Sequence, residues 1–382
     1  MVLADRDGRE YPPTREENAL RILLIAHTNL PWTPLYARWL QGRGHVVRVL
    51  SFHPDVHEGV DSVFLGIEPF DKYRNKHVYL TRLPRVRREL TTFGPDVVLA
   101  SYVLSNGLMA AVVGGAPFVV DVVGGDALVH PDHPRWRTRL QDAVIRFVCG
   151  RASGVRSVAT HLTERLGSLG VAAAKLETFP IGIDVARFRS PRERRGGPIR
   201  LISTRSHMPV YDIPTLLGAL ARVADEDGIG ICTFLGGGNL LEPHRELAAS
   251  LGLAERTRFL GPVSQERVAE ELREADVYVS TSLSDGASSS LLEAMATGLV
   301  PVVTRHPANE AWVEDGRNGL LFESGDAASL AAALARACSD EGLRDAARTG
   351  NPGRIAAEAD LEKSMLRLEA LLQRVGQGQF GT

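Results

Sequence analysis

Arg21-Ile22-Leu23-Leu24-Ile25-Ala26 is a short apolar run that reads as a fully buried strand. A loop around Asn29 to Pro34 follows it, then a helix through Trp39 and Leu40, then a second strand at Val46 to Ser51. This is a β-α-β unit. The pattern recurs with a helix near Val86 to Phe93, a strand at Asp96 to Ala100, a helix near Asn106 to Val113, and the strand Phe118 to Val123 running into Gly124-Gly125-Asp126. Continuous apolar strands alternating with helices predict a parallel sheet covered on both faces.

Working outward, Ser190 to Pro198 is rich in Arg, Gly and Pro and reads as an interdomain linker, after which the alternation restarts. Strands are expected at Ile199 to Ser203, Gly230 to Leu235, Thr257 to Leu260, Val277 to Ser280 and Val300 to Thr304. Leu361, Met365, Leu368, Leu371 and Leu372 fall at helical spacing, so Leu361 to Val375 should be an amphipathic helix. The expected organisation is a polar tail over 1–19, a Rossmann-like domain over 20–190, a linker over 191–198, a second Rossmann-like domain over 199–360, and a helix and tail over 361–382 able to pack back on the first domain. Two such doubly wound domains are expected to turn their strand carboxyl ends toward a shared cleft.

A chain of 382 residues is long enough for two cores. With Lys+Arg 44 against Asp+Glu 46, the net charge of -2 argues against a nucleic-acid partner. Cys149, Cys232 and Cys338 are far apart and lack paired metal-ligand spacing, which fits a reducing compartment. The first residues, Met1 to Asn18, have no apolar core of a secretory signal, and no apolar run approaches the roughly 20 residues a membrane span needs, so a cytoplasmic location is expected. The arginines Arg82, Arg85, Arg87 and Arg88 flank a helical stripe of Leu83, Val86, Leu90 and Phe93 and read as its wet face rather than as a peripheral membrane contact.

The chemistry is carried by Ser284-Asp285-Gly286-Ala287-Ser288-Ser289-Ser290-Leu291-Leu292-Glu293-Ala294-Met295-Ala296-Thr297-Gly298. A strand ends, a small-residue loop turns, and a helix begins near Ser290 and stops at Gly298. A helix N-terminus entered through Gly and Ser offers backbone N–H groups and a positive dipole end to a phosphate, with Glu293 one turn in and able to reach ribose hydroxyls. Ser290-x-x-Glu293 also reads as a capping box.

Asp285, seven residues, Glu293, then Ala-Met-Ala and a Gly before a Pro-bearing strand resembles the acidic-x7-Glu signature of retaining glycosyltransferase family 4, which has the GT-B fold. Phe179-Pro180-Ile181-Gly182-Ile183-Asp184-Val185-Ala186-Arg187-Phe188, the pair Leu235-Gly236-Gly237-Gly238 and Phe259-Leu260-Gly261, and Glu310 to Phe322 resemble further segments of that family, over about residues 20 to 375. The resemblance implies a metal-independent, retaining transfer of a hexose-type sugar from a nucleoside-diphosphate sugar, with no cofactor required, to a hydroxyl-bearing acceptor it does not identify. It implies that Glu293 binds the donor ribose, that Asp285 contacts sugar hydroxyls, and that the amides of Gly286, Ala287, Ser288, Ser289 and Ser290 hold the sugar and diphosphate. Arg205 matches the family arginine that grips the diphosphate, a task suited to a guanidinium fork. Gly236, Gly237 and Leu260 match the nucleotide side. Asn29 lies on the acceptor-side loop, and Asp126 is the first-domain candidate for holding acceptor or sugar, with an N-cap or turn aspartate as its other reading.

The chain also departs from the pattern. Arg205-Ser206-His207-Met208-Pro209-Val210-Tyr211 has no lysine after the arginine, and Tyr211 occupies the nearest equivalent place. Asp285 replaces the more usual Glu, Thr28-Asn29-Leu30-Pro31-Trp32 lacks the usual glycine pair, and Val123 sits where many relatives have a histidine. Asp5-Arg6-Asp7 and Asp225-Glu226-Asp227 read as solvated acid clusters, and Gly236-x-Gly238 lacks the third glycine of a dinucleotide fingerprint. His27, His207 and His306 are singly placed, with His207 set apart only by following Arg205. No side chain is spaced as an enzymic nucleophile. A nucleotide-sugar epimerase and a non-catalytic or partner-dependent nucleotide-sugar-binding subunit remain open alternatives.

Overall fold

A computed structural model describes residues 19–66, 77–128, 134–189, 196–223 and 228–379. The tail before Ala19, both acid clusters just named and residues 190–195 of the expected linker lie outside the described residues. The chain forms two compact units, one running to Ile181 and resuming at Lys363, the other comprising Gly182–Glu362.

Among the described residues the first unit has seven parallel strands: β1 (Arg21–Ile25), β2 (Val46–Ser51), β3 (Ser62–Phe64), β4 (Val97–Ser101), β5 (Phe118–Val122), β6 (Gly154–Ser157) and β7 (Leu176–Thr178). Their order is β3-β2-β1-β4-β5-β6-β7, so the winding reverses between β1 and β4. Its helices are α1 (Trp32–Gly42), α2 (His77–Thr81), α3 (Leu83–Phe93), α4 (Leu108–Val113), α5 (Arg135–Arg151) and α6 (Thr160–Ser168). The stretch expected as one helix from Asn106 begins instead as a π-helix, Tyr102–Gly107, and only then becomes α4. Tyr102, its first residue, has φ 71, a conformation unusual for a residue bearing a ring. Strands β3, β6 and β7 were not apparent from apolar runs, because they are short and carry polar residues, among them Arg156.

In the second unit α7 (Val185–Phe188) leads into six parallel strands among the described residues: β8 (Ile199–Ser203), β9 (Ile229–Leu235), β10 (Thr257–Gly261), β11 (Val277–Ser280), β12 (Val300–Thr304) and β13 (Leu320–Phe322). The order β10-β9-β8-β11-β12-β13 reverses between β8 and β11. Its other helices are α8 (Ile213–Arg222), α9 (Leu241–Ser250), α10 (Gln265–Glu274), α11 (Ser289–Ala296), α12 (Pro307–Glu310), α13 (Ala327–Ser339) and α14 (Glu341–Glu358). Alternate residues of one strand enter two different cores. Leu201, Phe234, Val277, Val279 and Val302 pack with Leu216, Leu220, Leu330 and Leu334 of α8 and α13. Their neighbours Ile202, Leu235, Tyr278 and Val303 pack with Leu272, Leu291, Met295 and Ile355 of α10, α11 and α14. Side chains alternate across a strand, so a sheet covered on both faces requires an unbroken apolar run. The last helix, α15 (Leu361–Gly376), packs within the first unit, where Leu371 and Val375 close over Gly154.

Candidate active site

Arg205 follows β8, and Ser282 to Ser288 follow β11, so the switch point of the second sheet brings both segments to the carboxyl ends of adjacent strands. That is where open α/β sheets bind ligands. The guanidinium is 6% exposed. It donates through Nη2 to both carboxylate oxygens of Asp285, at 2.8 and 2.6 Å, and through Nη1 to Ser288 Oγ at 3.0 Å. Burial works against its charge, but the Asp285 carboxylate outweighs burial and the pKa of Arg205 is raised. Tyr211 lies with its ring 4.2 Å from the guanidinium carbon. Where the family pattern has a lysine, this chain therefore stacks an aromatic face on the arginine. Arg205 Nε is buried without an acceptor among the described residues.

Helix α11 starts one residue earlier than expected. Ser288 is its N-cap and its Oγ accepts from the N–H of Leu291 at 3.3 Å, which excludes the capping box read at Ser290 and Glu293. The amides of Ser289 and Ser290 belong to the first turn, whose N–H groups have no acceptor within the helix. Gly286 and Ser288 are buried, and Ala287, Ser289 and Ser290 half-buried. Glu293, also half-buried, is pushed up to about 7 by burial, against the charges of Arg205 and Arg187.

Gly236 has φ 104 and Gly238 φ 147. A Cβ on Gly236 would meet the carbonyl oxygen of Arg205 at 2.9 Å, and one on Gly238 that of His207 at 2.3 Å. Only glycine lets the loop after β9 lie directly on the backbone after β8, where the His207 N–H donates to the Gly237 carbonyl at 2.8 Å. Leu260, at the end of β10, packs half-buried on the core beneath. His207 is not singly placed: its Nδ1 lies 2.8 Å from Nδ1 of His244. Burial and the neighbouring His244 lower its pKa to about 4, so it stays neutral.

In the first unit, the turn after β5 carries Asp126. The Leu104 N–H donates to its Oδ2 at 3.2 Å, while Oδ1 is buried with no hydrogen-bond partner among the described residues. Burial lifts its pKa to about 6, against hydrogen bonds from the Leu104 and Val103 amides. The π-helix packs against this turn and contributes Asn106, which is 1% exposed and has neither amide atom satisfied among the described residues. Unsatisfied buried polar atoms cost free energy and are uncommon in folded proteins. Val123, at the usual histidine position, is buried. Asn29 is exposed on the loop after β1. Among the described residues no group of three or more His, Cys, Asp or Glu is placed to hold a metal ion.

Residues 184–354 match the family described as "Glycosyl transferases group 1", and residues 33–182 match the "Glycosyl transferase 4-like domain". The chain belongs to the GT4-type glycosyltransferases. It is 28% identical over 297 residues to D-inositol 3-phosphate glycosyltransferase of Geodermatophilus obscurus, covering 70% of this chain and 64% of that one. The match thus spans less than two thirds of that relative's length. Its fold is similar to that of sucrose-phosphate synthase from Thermosynechococcus elongatus (TM-score 0.80, 16% identity, 94% and 99% of the two chains). It is also similar to Anabaena HepE in complex with UDP-glucose (TM-score 0.73, 16% identity, 92% and 99%). Both likenesses bear out the GT-B fold class, two Rossmann-like parallel-sheet units.

In this family member the fold brings Arg205, Asp285 and Ser288 into direct contact and sets Gly236 and Gly237 against the backbone that follows β8. Asn29 and Asp126 belong to the first unit. Sequence reading missed Asn106 and the role of Tyr211. A polar amide inside the apolar stretch Val103 to Val113 is the one signal that marked Asn106.

Proposed function

We propose that this chain transfers a sugar, with retention and without a metal ion, from a nucleoside-diphosphate sugar to a hydroxyl-bearing acceptor. The observation carrying this reading is the convergence of the buried Arg205 and the first turn of α11 at the switch point of the second sheet. Together they offer fixed positive charge to a departing diphosphate, and such preorganised electrostatics is commonly the largest catalytic contribution. In the proposed cycle the diphosphate draws Arg205 away from Asp285, and the released carboxylate accepts from sugar hydroxyls. Glu293 accepts from the ribose, and Gly236, Gly237 and Leu260 flank the nucleotide. The acceptor oxygen bonds to the anomeric carbon as the bond to the diphosphate breaks, and the acceptor proton passes to the departing phosphate oxygen. Asp126 and Asn106 are assigned to sugar or acceptor hydroxyls in the first unit, and Asn29 to the acceptor side. The unit Gly182–Glu362 is the donor half. The reaction is assigned to the cytoplasm, which the dispersed cysteines fit.

HepE has been crystallised with UDP-glucose, which makes UDP-hexoses the first donors to try. Binding and slow hydrolysis should be measured across UDP-, GDP-, ADP- and dTDP-sugars, with Glu293→Ala as control. The expected result is one preferred donor whose binding is lost in the variant, turnover unchanged by a chelator, and a product of unchanged anomeric configuration by NMR. Donor consumed to an isomeric sugar without acceptor would identify an epimerase, and absence of binding to every donor would favour a partner-dependent subunit.

A further inference from the structure

Helix α5 has apolar residues on two opposite sides. Ile145, Val148 and Cys149 face the core of the first unit. On the outer side Trp136, Leu140 and Phe147 are 67%, 59% and 44% exposed. At the helical repeat these three and Ala143 fall within an arc of about 60°, forming a convex ridge about 17 Å long. Arg135, Arg139 and Arg146 run along one flank, Arg137 and Arg151 along the other, and all five are exposed. Arg151 lies over the Phe147 ring at 5.6 Å. The helix holds one acid, Asp142, which is turned away from the ridge and accepts from Arg165.

The basic character extends to the neighbouring helices. Helix α4 packs against α5, and α3 against α4. Helix α4 exposes Val112, and α3 exposes Arg85, Arg87 and Arg88, while its Glu89 accepts from Arg48. In a chain with net charge -2, eight exposed arginines thus lie on α5 and α3, the two helices that flank α4, with an exposed apolar ridge on α5.

We propose that this face docks on an anionic lipid bilayer, with α5 lying in the plane of the interface. The chemistry fits in three respects. An interfacial helix sinks a narrow apolar ridge below the headgroups and keeps cations level with them on both flanks. Trp and Phe favour that depth. A ridge of three large side chains is far short of the roughly 800 Å² per partner that a stable protein interface buries, whereas a membrane needs only shallow insertion plus charge. The inference is independent of the proposed reaction, since it is read without any sugar donor.

The test uses the full chain with vesicles of phosphatidylcholine alone and of equal parts phosphatidylcholine and phosphatidylglycerol, read by cosedimentation and tryptophan emission. Binding to the anionic vesicles only is expected, weakened by salt, with a blue shift that disappears in Trp136→Phe. Removing three arginines together (Arg135→Gln, Arg139→Gln, Arg146→Gln) should weaken it on the order of 100-fold, because each cation near the surface contributes about fivefold. Leu140→Ser with Phe147→Ser should weaken it at least about tenfold. All these positions are exposed, and melting temperature and donor hydrolysis should stay unchanged; if the apolar double variant fails to fold, the arginine variant decides. No binding to anionic vesicles, or equal binding by the arginine variant, would overturn the proposal. So would self-association of the wild type that the Phe147 change abolishes, which would make the ridge a contact between copies.

Discussion

At Glu293 burial and charge oppose each other, and burial wins: the carboxyl is lifted to about 7 although Arg205 and Arg187 pull it down. The folded state therefore binds a proton that the unfolded chain releases between its ordinary 4.5 and about 7, so stability falls as pH rises through that window. Above it the ionised group destabilises the fold by up to about 3 kcal/mol. Glu293→Gln should raise the melting temperature more at about pH 8 than at about pH 5 while weakening donor binding; equal gains at both would refute the assignment. Because ribose hydroxyls donate to the carboxylate form, wild-type donor affinity should increase with pH through about 7. Tyr211 is legible in the sequence only as a missing lysine, but the structure gives it work as the face beneath Arg205. Tyr211→Ala should lower donor affinity about five- to tenfold and Tyr211→Phe leave it near wild type, as titration calorimetry would read.

At the scale of elements, the loop after β9 shows why glycine recurs at Gly236 and Gly238. Both have positive φ and lie against backbone carbonyls rather than against movable side chains. Gly238→Ala should destabilise the second unit by about 2–4 kcal/mol in chemical denaturation and weaken donor binding, since the strained loop and the Arg205 turn cannot both keep their places. Gly237, whose added Cβ would meet Pro262 at an ordinary 3.6 Å, should tolerate alanine far better. Strand β6 carries the opposite lesson. Its Arg156 is fully buried and donates to Tyr36 Oη at 2.7 Å, to Asp121 at 3.2 Å and to the Pro180 carbonyl at 2.7 Å. A strand with a charged residue at its centre does not stand out as an apolar run, and here the charge is tolerated because its partners come from α1, β5 and the chain after β7.

On the scale of the whole molecule, the last helix ties the ends of the first unit together. Glu369 of α15 accepts from Arg43 Nε at 3.2 Å and lies 3.0 Å from His45 Nε2. His45 Nδ1 accepts the Leu20 N–H at 3.0 Å, which leaves Nε2 to donate to Glu369. Burial raises the pKa of Glu369, but the bonds from His45 and Arg43 outweigh it and hold the carboxyl below its ordinary value. Its stabilising contribution is thus present above the ordinary 4.5 and is lost as pH falls through the lower folded value. Glu369→Ala should cost about 2–4 kcal/mol at neutral pH, measured by denaturant unfolding of the full chain, with the difference shrinking in acid. The sequence by itself determined the two parallel sheets, because strands buried on both faces must be apolar throughout, and it determined the residue types at the switch point, because a phosphate-binding turn needs small residues and a helix start. Only the tertiary structure decided which of those residues touch. The pairing of Arg205 with Asp285, the packing of the π-helix that carries Asn106 on the Asp126 turn, and the clasp on Glu369 join positions 20 to more than 300 residues apart, and no local periodicity records the distance between them.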